Sequence, residues 1–126
     1  METGREVLYR AFKLLGYTDG YGGVDGARDA ELLRRGTAAL EQILADLRRI
    51  ETPGQTDGWT GDLDSPLPLS AETVNDAMPY GVAMLLAQGE SDGDAQSLYA
   101  ALYNGKRAGI RRPAERRADV LPRVYG

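Results

Sequence analysis

The chain has 126 residues, 42% of them hydrophobic, and a net charge of −4, values that suit one soluble domain with a modest core. It contains no Cys and no His, which excludes a disulfide framework and a thiolate metal site and removes the commonest general base. The longest apolar run, residues 82–87, is far too short to span a membrane, so we expect no membrane partner.

The first predicted helix spans about residues 3–16. Thr3 and Glu6 form the capping pattern TGRE, and Gly16 is a suitable stop. Its apolar side chains fall on one side at helical spacing: Val7, Leu8, Ala11, Leu14 and Leu15. The segment METGREVLYR has no apolar signal core, so we expect the chain to stay in the compartment where it is made.

A glycine- and aspartate-rich connection, YTDGYGGVDGARD, follows this helix. If Asp19 were the first ligand of a calcium loop, Tyr21 and Gly23 would stand where oxygen ligands belong, and Ala30 would replace the closing Glu. We therefore interpret the segment as a flexible connection and expect neither a metal nor a cofactor.

The second predicted helix spans about residues 29–51. Asp29 is its expected cap, and Pro53 and Gly54 end it. Gly36 lies on the apolar stripe and predicts a close contact with another helix. The stripe itself consists of Leu33, Leu40, Ile43, Leu44, Leu47 and Ile50.

The connection QTDGWTGDLDSPLPL is long for a compact domain, and such loops are often functional. The residues in it that stand out as candidates for a function are Asp57, Trp59, Asp62 and Asp64. Trp59 has two interpretations that the sequence leaves open: the ring lies over the core, or it anchors a neighbour. The three aspartates have no nucleophile or proton shuttle beside them, so we interpret them as solvated acids.

Two further helical segments complete the body. The first begins after Ser70 as cap and must kink or restart at Pro79. The second begins near Asp92 or Asp94, ends at Gly109, and is expected to bury Ala95, Leu98, Tyr99 and Leu102. Tyr99 and Tyr103 are expected to be half-buried with their hydroxyls outward. Since no segment shows period-two alternation, the predicted class is all-α, a small bundle of about four helices with long Gly/Pro-rich loops.

The charge of the chain is divided unequally along its length. Residues 1–109 hold ten basic and 17 acidic side chains, a balance of −7. Residues 110–126 hold five arginines against Glu115 and Asp119, a balance of +3, and Pro113 and Pro122 disfavour a continuous helix there. We therefore predict a helical bundle domain at 1–109 and an extended basic C-terminal arm at 110–126.

The segment LPLSAETVNDAMPYGVAMLLAQGESDGDAQSLYAALYNGKRA resembles the head-tail connector proteins of tailed bacteriophages, also called neck adaptors or head-completion proteins. The resemblance rests on the LPL lead-in, the Pro79-Tyr80-Gly81 kink before an Ala/Leu helix, the acidic break at 90–94 and the final Tyr103-Asn104. With the two preceding helices, it covers roughly residues 3–107.

This resemblance implies a structural virion protein of the neck, assembled in the host cytoplasm. The residues themselves predict no enzyme, because the chain has no His or Cys and shows no phosphate-binding loop and no paired acidic motif on a helix face. Such adaptors form a ring of copies, typically a dodecamer, under the portal protein. A long loop of each copy contacts the adjacent subunit or the next neck component, and the resemblance assigns this contact to the loop that holds Asp57, Trp59, Asp62 and Asp64. A tail-completion or stopper protein binds below, and DNA passes through the channel without sequence-specific binding. The arm would then dock on the portal through Arg111, Arg112, Arg116, Arg117, Val120, Leu121, Arg123, Val124 and Tyr125.

Two other interpretations of the arm remain open. A small packaging or regulatory protein could use the arginines to bind DNA, although a body with a balance of −7 would repel the same duplex. The arm could also be a solvated terminus with no partner. Apolar residues at Val120, Leu121, Val124 and Tyr125 favour a docked arm over a solvated one.

Overall fold

The computed structural model describes residues 3–17, 26–54 and 59–110. They form five helices in chain order: α1 (Gly4–Leu15), α2 (Gly26–Glu51), α3 (Ala71–Asp76), α4 (Met78–Gly89) and α5 (Gly93–Ala108). In these three ranges the structure contains no strand, only an isolated bridge between Thr3 and Pro66. The prediction of an all-α fold is confirmed. The predicted arm lies outside the described residues from position 111 onward.

The ends of α1 are set by local chemistry. The Thr3 hydroxyl accepts a hydrogen bond from the Glu6 amide at 3.3 Å, which satisfies one of the amide groups that a helix start leaves unpaired. Gly16 ends the helix at φ 76°, a left-handed conformation that glycine adopts without steric cost. Both predicted ends of this helix are correct.

The start of α2 was predicted wrongly. The helix begins at Gly26, so Asp29 lies inside its first turn and not at the position before the helix. Ala27 and Arg28 are both good helix formers, and they extend the helix upstream of the polar residue that the sequence suggested as its cap. The predicted end at Glu51 is correct, with Arg48 and Arg49 in the last turn.

Pro79 produces a restart and not a kink. Helix α3 ends at Asp76, and α4 begins at Met78 with Pro79 in its first turn, where a missing amide donor costs little. The Ser70 hydroxyl caps α3 by accepting from the Thr73 amide at 3.2 Å, as predicted. The two short helices therefore follow each other without an unpaired donor at the proline.

Helix α4 is the centre of the bundle. It packs against α1, α2 and α5, and it is apolar on nearly all sides, as a central helix has to be. Seven of its residues are buried: Met78, Pro79, Gly81, Val82, Ala83, Leu86 and Ala87. Close approach to α5 depends on Gly81, because a Cβ atom there would lie 2.8 Å from the Tyr103 ring.

Helix α2 meets α1 at Gly36, as predicted. A Cβ atom at Gly36 would lie 3.0 Å from Leu8 Cδ2 and 3.4 Å from Phe12 Cζ. The stripe was predicted slightly out of register, since Leu32 is buried whereas Leu33 is only half-buried. Phe12, which the sequence interpretation did not place in the core, is completely buried.

The buried side of α5 was predicted correctly for Tyr99 and wrongly for Leu98 and Leu102. Leu98 and Leu102 are 54% and 38% exposed, whereas Tyr99 and Tyr103, which were expected to be half-buried, are buried. The Tyr99 hydroxyl donates to the Leu14 carbonyl and the Tyr103 hydroxyl to Asp46 Oδ2, both at 2.6 Å. Because each phenol finds an acceptor, burying the two rings costs no unpaired polar group, and the leucines turn to solvent.

Candidate functional site

The described part of the long loop is fastened to the start of α1. The Arg5 amide donates to the Leu63 carbonyl at 2.9 Å, and the Arg5 guanidinium pairs with Asp64 at 2.8 and 3.2 Å. These contacts are made within the chain, so this half of the loop packs on its own bundle. Asp57, another predicted contact residue, lies outside the described residues.

Asp62 and Asp64 are brought together in one turn of this loop. Asp62 accepts from the Asp64 amide at 2.9 Å and from the Ser65 hydroxyl at 2.8 Å, and these hydrogen bonds lower its pKa. The hydrogen bond from Arg5 lowers the pKa of Asp64. Both carboxylates are exposed and shape the turn, which agrees with their interpretation as solvated loop acids.

Trp59 lies over the core, the first of its two open interpretations. The half-buried ring packs against the core next to Gly4, where a Cβ atom would lie 3.4 Å from Trp59 Cζ2 and 3.2 Å from Leu63 Cδ2. Its Nε1 is buried and has no hydrogen-bond partner in the described part of the chain. The ring therefore covers the start of α1.

We expect Trp59→Ala to lower the free energy of unfolding by about 2 kcal/mol, because roughly half of a large aromatic side chain loses its packing. Urea denaturation followed by circular dichroism measures the change. Trp59→Phe, which keeps a ring over Gly4, should lose less than half as much. A change below about 0.5 kcal/mol for Trp59→Ala would mean that the ring contributes nothing to the isolated fold.

A buried carboxylate joins the end of α2 to the start of α3. Glu51 is 4% exposed and accepts hydrogen bonds from the Ser70 amide, the Ser70 hydroxyl and the Thr73 hydroxyl. The sequence interpretation missed it. The signal was its spacing, because Glu51 continues the buried series of Leu44 and Leu47.

A second polar cluster joins α5 to α2. Arg107 binds both oxygens of Asp46, at 2.7 and 3.0 Å, and Tyr103 donates to the same carboxylate. The hydrogen bond from Arg107, with a further one from Tyr103, lowers the pKa of Asp46 below its ordinary value of 3.8. Burial, together with the hydrogen bond to Asp46, raises the pKa of Tyr103.

We expect Asp46→Asn to destabilise the fold by about 1 kcal/mol at pH 7, because the paired groups are partly exposed. A carboxylate with a depressed folded-state pKa stabilises the protein above its unfolded-state pKa. The difference between the unmodified chain and the variant should therefore hold from pH 7 to about 5 and shrink below about pH 4. Urea titrations across this range measure it, and a difference that is the same at every pH would contradict the ion pair.

Three large apolar side chains among the described residues are exposed to solvent. Leu98 and Leu102 lie one turn apart on α5, with Ala101 exposed between them, and Leu14 is 37% exposed at the end of α1. We call Leu98, Ala101 and Leu102 the α5 apolar strip. Exposed apolar side chains that are contiguous on one helix face are a common feature of protein–protein contact surfaces.

The predicted arm residues, from Arg111 to Tyr125, lie outside the described residues. The described chain ends at Ile110, which is half-buried against the core and donates its amide to the Arg107 carbonyl at 3.1 Å. The origin of the arm is thus fixed at the end of α5.

The described residues contain no group of three or more acidic residues placed to hold a metal ion. In the same ranges no helix is both long and apolar enough to cross a membrane. No protein-family model, no curated protein and no solved structure matches this chain.

Proposed function

We propose that the chain is a head-tail connector of a tailed bacteriophage, a structural virion protein that forms a ring of copies under the portal protein. The ring links the capsid to the tail and leaves a channel for DNA. A tail-completion or stopper protein binds below it. The proposal rests on two features, the α5 apolar strip in the described structure and the basic sequence of residues 110–126.

The observation that carries the proposal is the α5 apolar strip. Leu98 and Leu102 lie on one helix face and are 54% and 38% exposed. Their apolar area stays in contact with water, which is unfavourable, unless another protein covers it. In a ring, every copy presents this strip to its neighbour, so the neighbour covers the strip at every subunit. The long loop, in contrast, is held by Arg5 on its own subunit, so we assign the first subunit contact to α5 and not to Trp59.

The arm supplies the second contact. The arm contains five arginines and several apolar residues. It begins at Ile110, next to the C-terminal end of α5, the helix that carries the strip. Charged hydrogen bonds from arginine side chains are strong and directional, and they suit an acidic or carbonyl-rich portal surface. The acidic body fits a channel wall, because carboxylates repel phosphate and let DNA slide.

The experiment is assembly of purified portal rings with the full chain, followed by electron microscopy and sedimentation. Leu98→Gln with Leu102→Gln should prevent a closed ring on the portal and leave the helical content unchanged. Lys13→Gln with Glu41→Gln is a matched surface control on α1 and α2 that should assemble normally. Normal rings from the leucine variant would refute the role of the strip.

The competing function, DNA binding by the arm, predicts a different outcome. In that case the full chain would not bind the portal but would bind duplex DNA, with an affinity that falls steeply as the salt concentration rises. This result would support a packaging or regulatory protein.

A further inference from the structure

A groove of about 560 Å³ lies between α3 and the C-terminal end of α5. Glu72, Thr73 and Asp76 line it on the α3 side. Lys106, Gly109 and Ile110 line it on the other side. The groove is therefore formed partly by the last described residue of the chain, the point from which the arm continues.

The α3 side of the groove is acidic. Glu72 and Asp76 are exposed and lie one helical turn apart, and none of the four ion pairs among the described residues includes either of them. Ser70 and Thr73, which also line the groove, hold the buried Glu51 carboxylate behind its wall. Three carboxylates thus contribute negative potential to this groove.

The basic residue in the groove wall is engaged elsewhere. Lys106 Nζ lies 5.3 Å from the centre of the Tyr80 ring, a distance typical of a cation–π contact. Lys106 therefore does not bridge the groove to Glu72 or Asp76 in any ion pair of the described residues. The two exposed carboxylates remain available to another cation.

The segment that follows the groove in the chain is rich in arginine. Ile110 is followed by RRPAERR, residues 111–117, which holds four arginines and one acidic residue. Since an extended chain advances at most about 3.6 Å per residue, the Cα atoms of Arg111 and Arg112 are within about 7 Å of the Ile110 Cα atom. This tether gives the arginines a high effective concentration at the groove, which no separate partner has at ordinary protein concentration.

We propose that the groove binds residues 111–117 of the same chain, with Arg111 and Arg112 paired to Glu72 and Asp76. Pro113 reduces the conformational freedom that this segment loses when it docks. Exposed ion pairs are individually weak, so the contact is reversible and the arm can leave for a stronger surface. The inference does not depend on the proposed portal role, because groove and occupant belong to one chain.

The test is a measurement of backbone ¹⁵N relaxation on the isolated full chain at low salt. Amide order parameters for residues 111, 112 and 114–117 should exceed about 0.6, the value below which a backbone counts as flexible. In Glu72→Gln with Asp76→Asn they should fall below it. The matched control is Glu41→Gln with Asp94→Asn, which removes the same charge from two exposed positions outside the groove and should leave the arm ordered.

Three results would overturn the proposal. The first is an arm that is flexible in the unmodified chain. The second is an arm that stays ordered in the groove variant, since the carboxylates then do not hold it. The third is order that disappears on tenfold dilution, because the arm would then occupy the groove of a second copy.

Discussion

Glu51→Ala is expected to lower the free energy of unfolding by about 3 kcal/mol, since a charged acceptor and its three hydrogen bonds are lost together. The side chain is 4% exposed and joins the end of α2 to the cap of α3 through Ser70 and Thr73. Without it the Ser70 amide, the Ser70 hydroxyl and the buried Thr73 hydroxyl lose their acceptor. Glu51→Gln keeps one acceptor and should cost about 1 kcal/mol.

Urea denaturation of the full chain measures both variants. Glu41→Ala, an exposed glutamate on the same helix, is the matched control and should change stability by less than about 0.5 kcal/mol. If Glu51→Ala cost no more than Glu41→Ala, the carboxylate would not be the link between α2 and α3.

Phe12→Ala is expected to have the larger effect, a loss of about 4 kcal/mol, because it leaves a cavity between α1 and α2. The ring is completely buried, touches the place where Gly36 lets the two helices meet, and stacks near Tyr9 with 6.2 Å between ring centres. Since a domain of this size has a total stability of about 5–15 kcal/mol, this loss removes roughly a quarter or more of it and should lower the melting temperature by more than any other single substitution proposed for this chain.

The control for Phe12→Ala is Leu14→Ala. Leu14 is on the same helix and is 37% exposed, so its truncation should cost less than about 1 kcal/mol. Thermal unfolding followed by circular dichroism compares the two variants. Equal losses would contradict the assignment of Phe12 to the core and of Leu14 to the surface.

The sequence was sufficient to predict the features that depend on local chemistry. Thr3, Gly16 and Ser70 end or cap helices through contacts within a few residues, so their roles follow from residue type and position. Pro79 interrupts a helical pattern in any tertiary structure, because proline lacks an amide donor and crowds the preceding turn. Gly36 could be predicted as a helix contact because it interrupts an apolar stripe.

The errors occurred where burial depends on a partner that is distant in the sequence. Tyr99 and Tyr103 are buried because the Leu14 carbonyl and Asp46 accept their hydroxyl protons, and neither acceptor is near α5 in the sequence. Leu98 and Leu102 were assigned to the core on hydrophobicity alone. Asp29 was taken as a cap because spacing does not reveal that Ala27 and Arg28 continue the helix.

The candidate site was predictable only in part. The loop acids Asp62 and Asp64 were correctly interpreted as solvated. The ion pair between Asp64 and Arg5 joins positions almost sixty residues apart, so the local sequence pattern does not reveal it. Trp59 had two interpretations of equal standing, and only the packing against Gly4 separates them. The α5 apolar strip was invisible because its leucines looked like core residues.

The most direct test of the connector role is co-sedimentation with purified portal rings. The full chain is compared with a version that ends at Ile110. The shorter version keeps every described helix and the core contact of Ile110, so it isolates the arm. We predict that the full chain sediments with the portal and that the shorter version stays in the supernatant. Absence of both from the pellet would contradict the connector role, and equal binding of both would contradict docking by the arm.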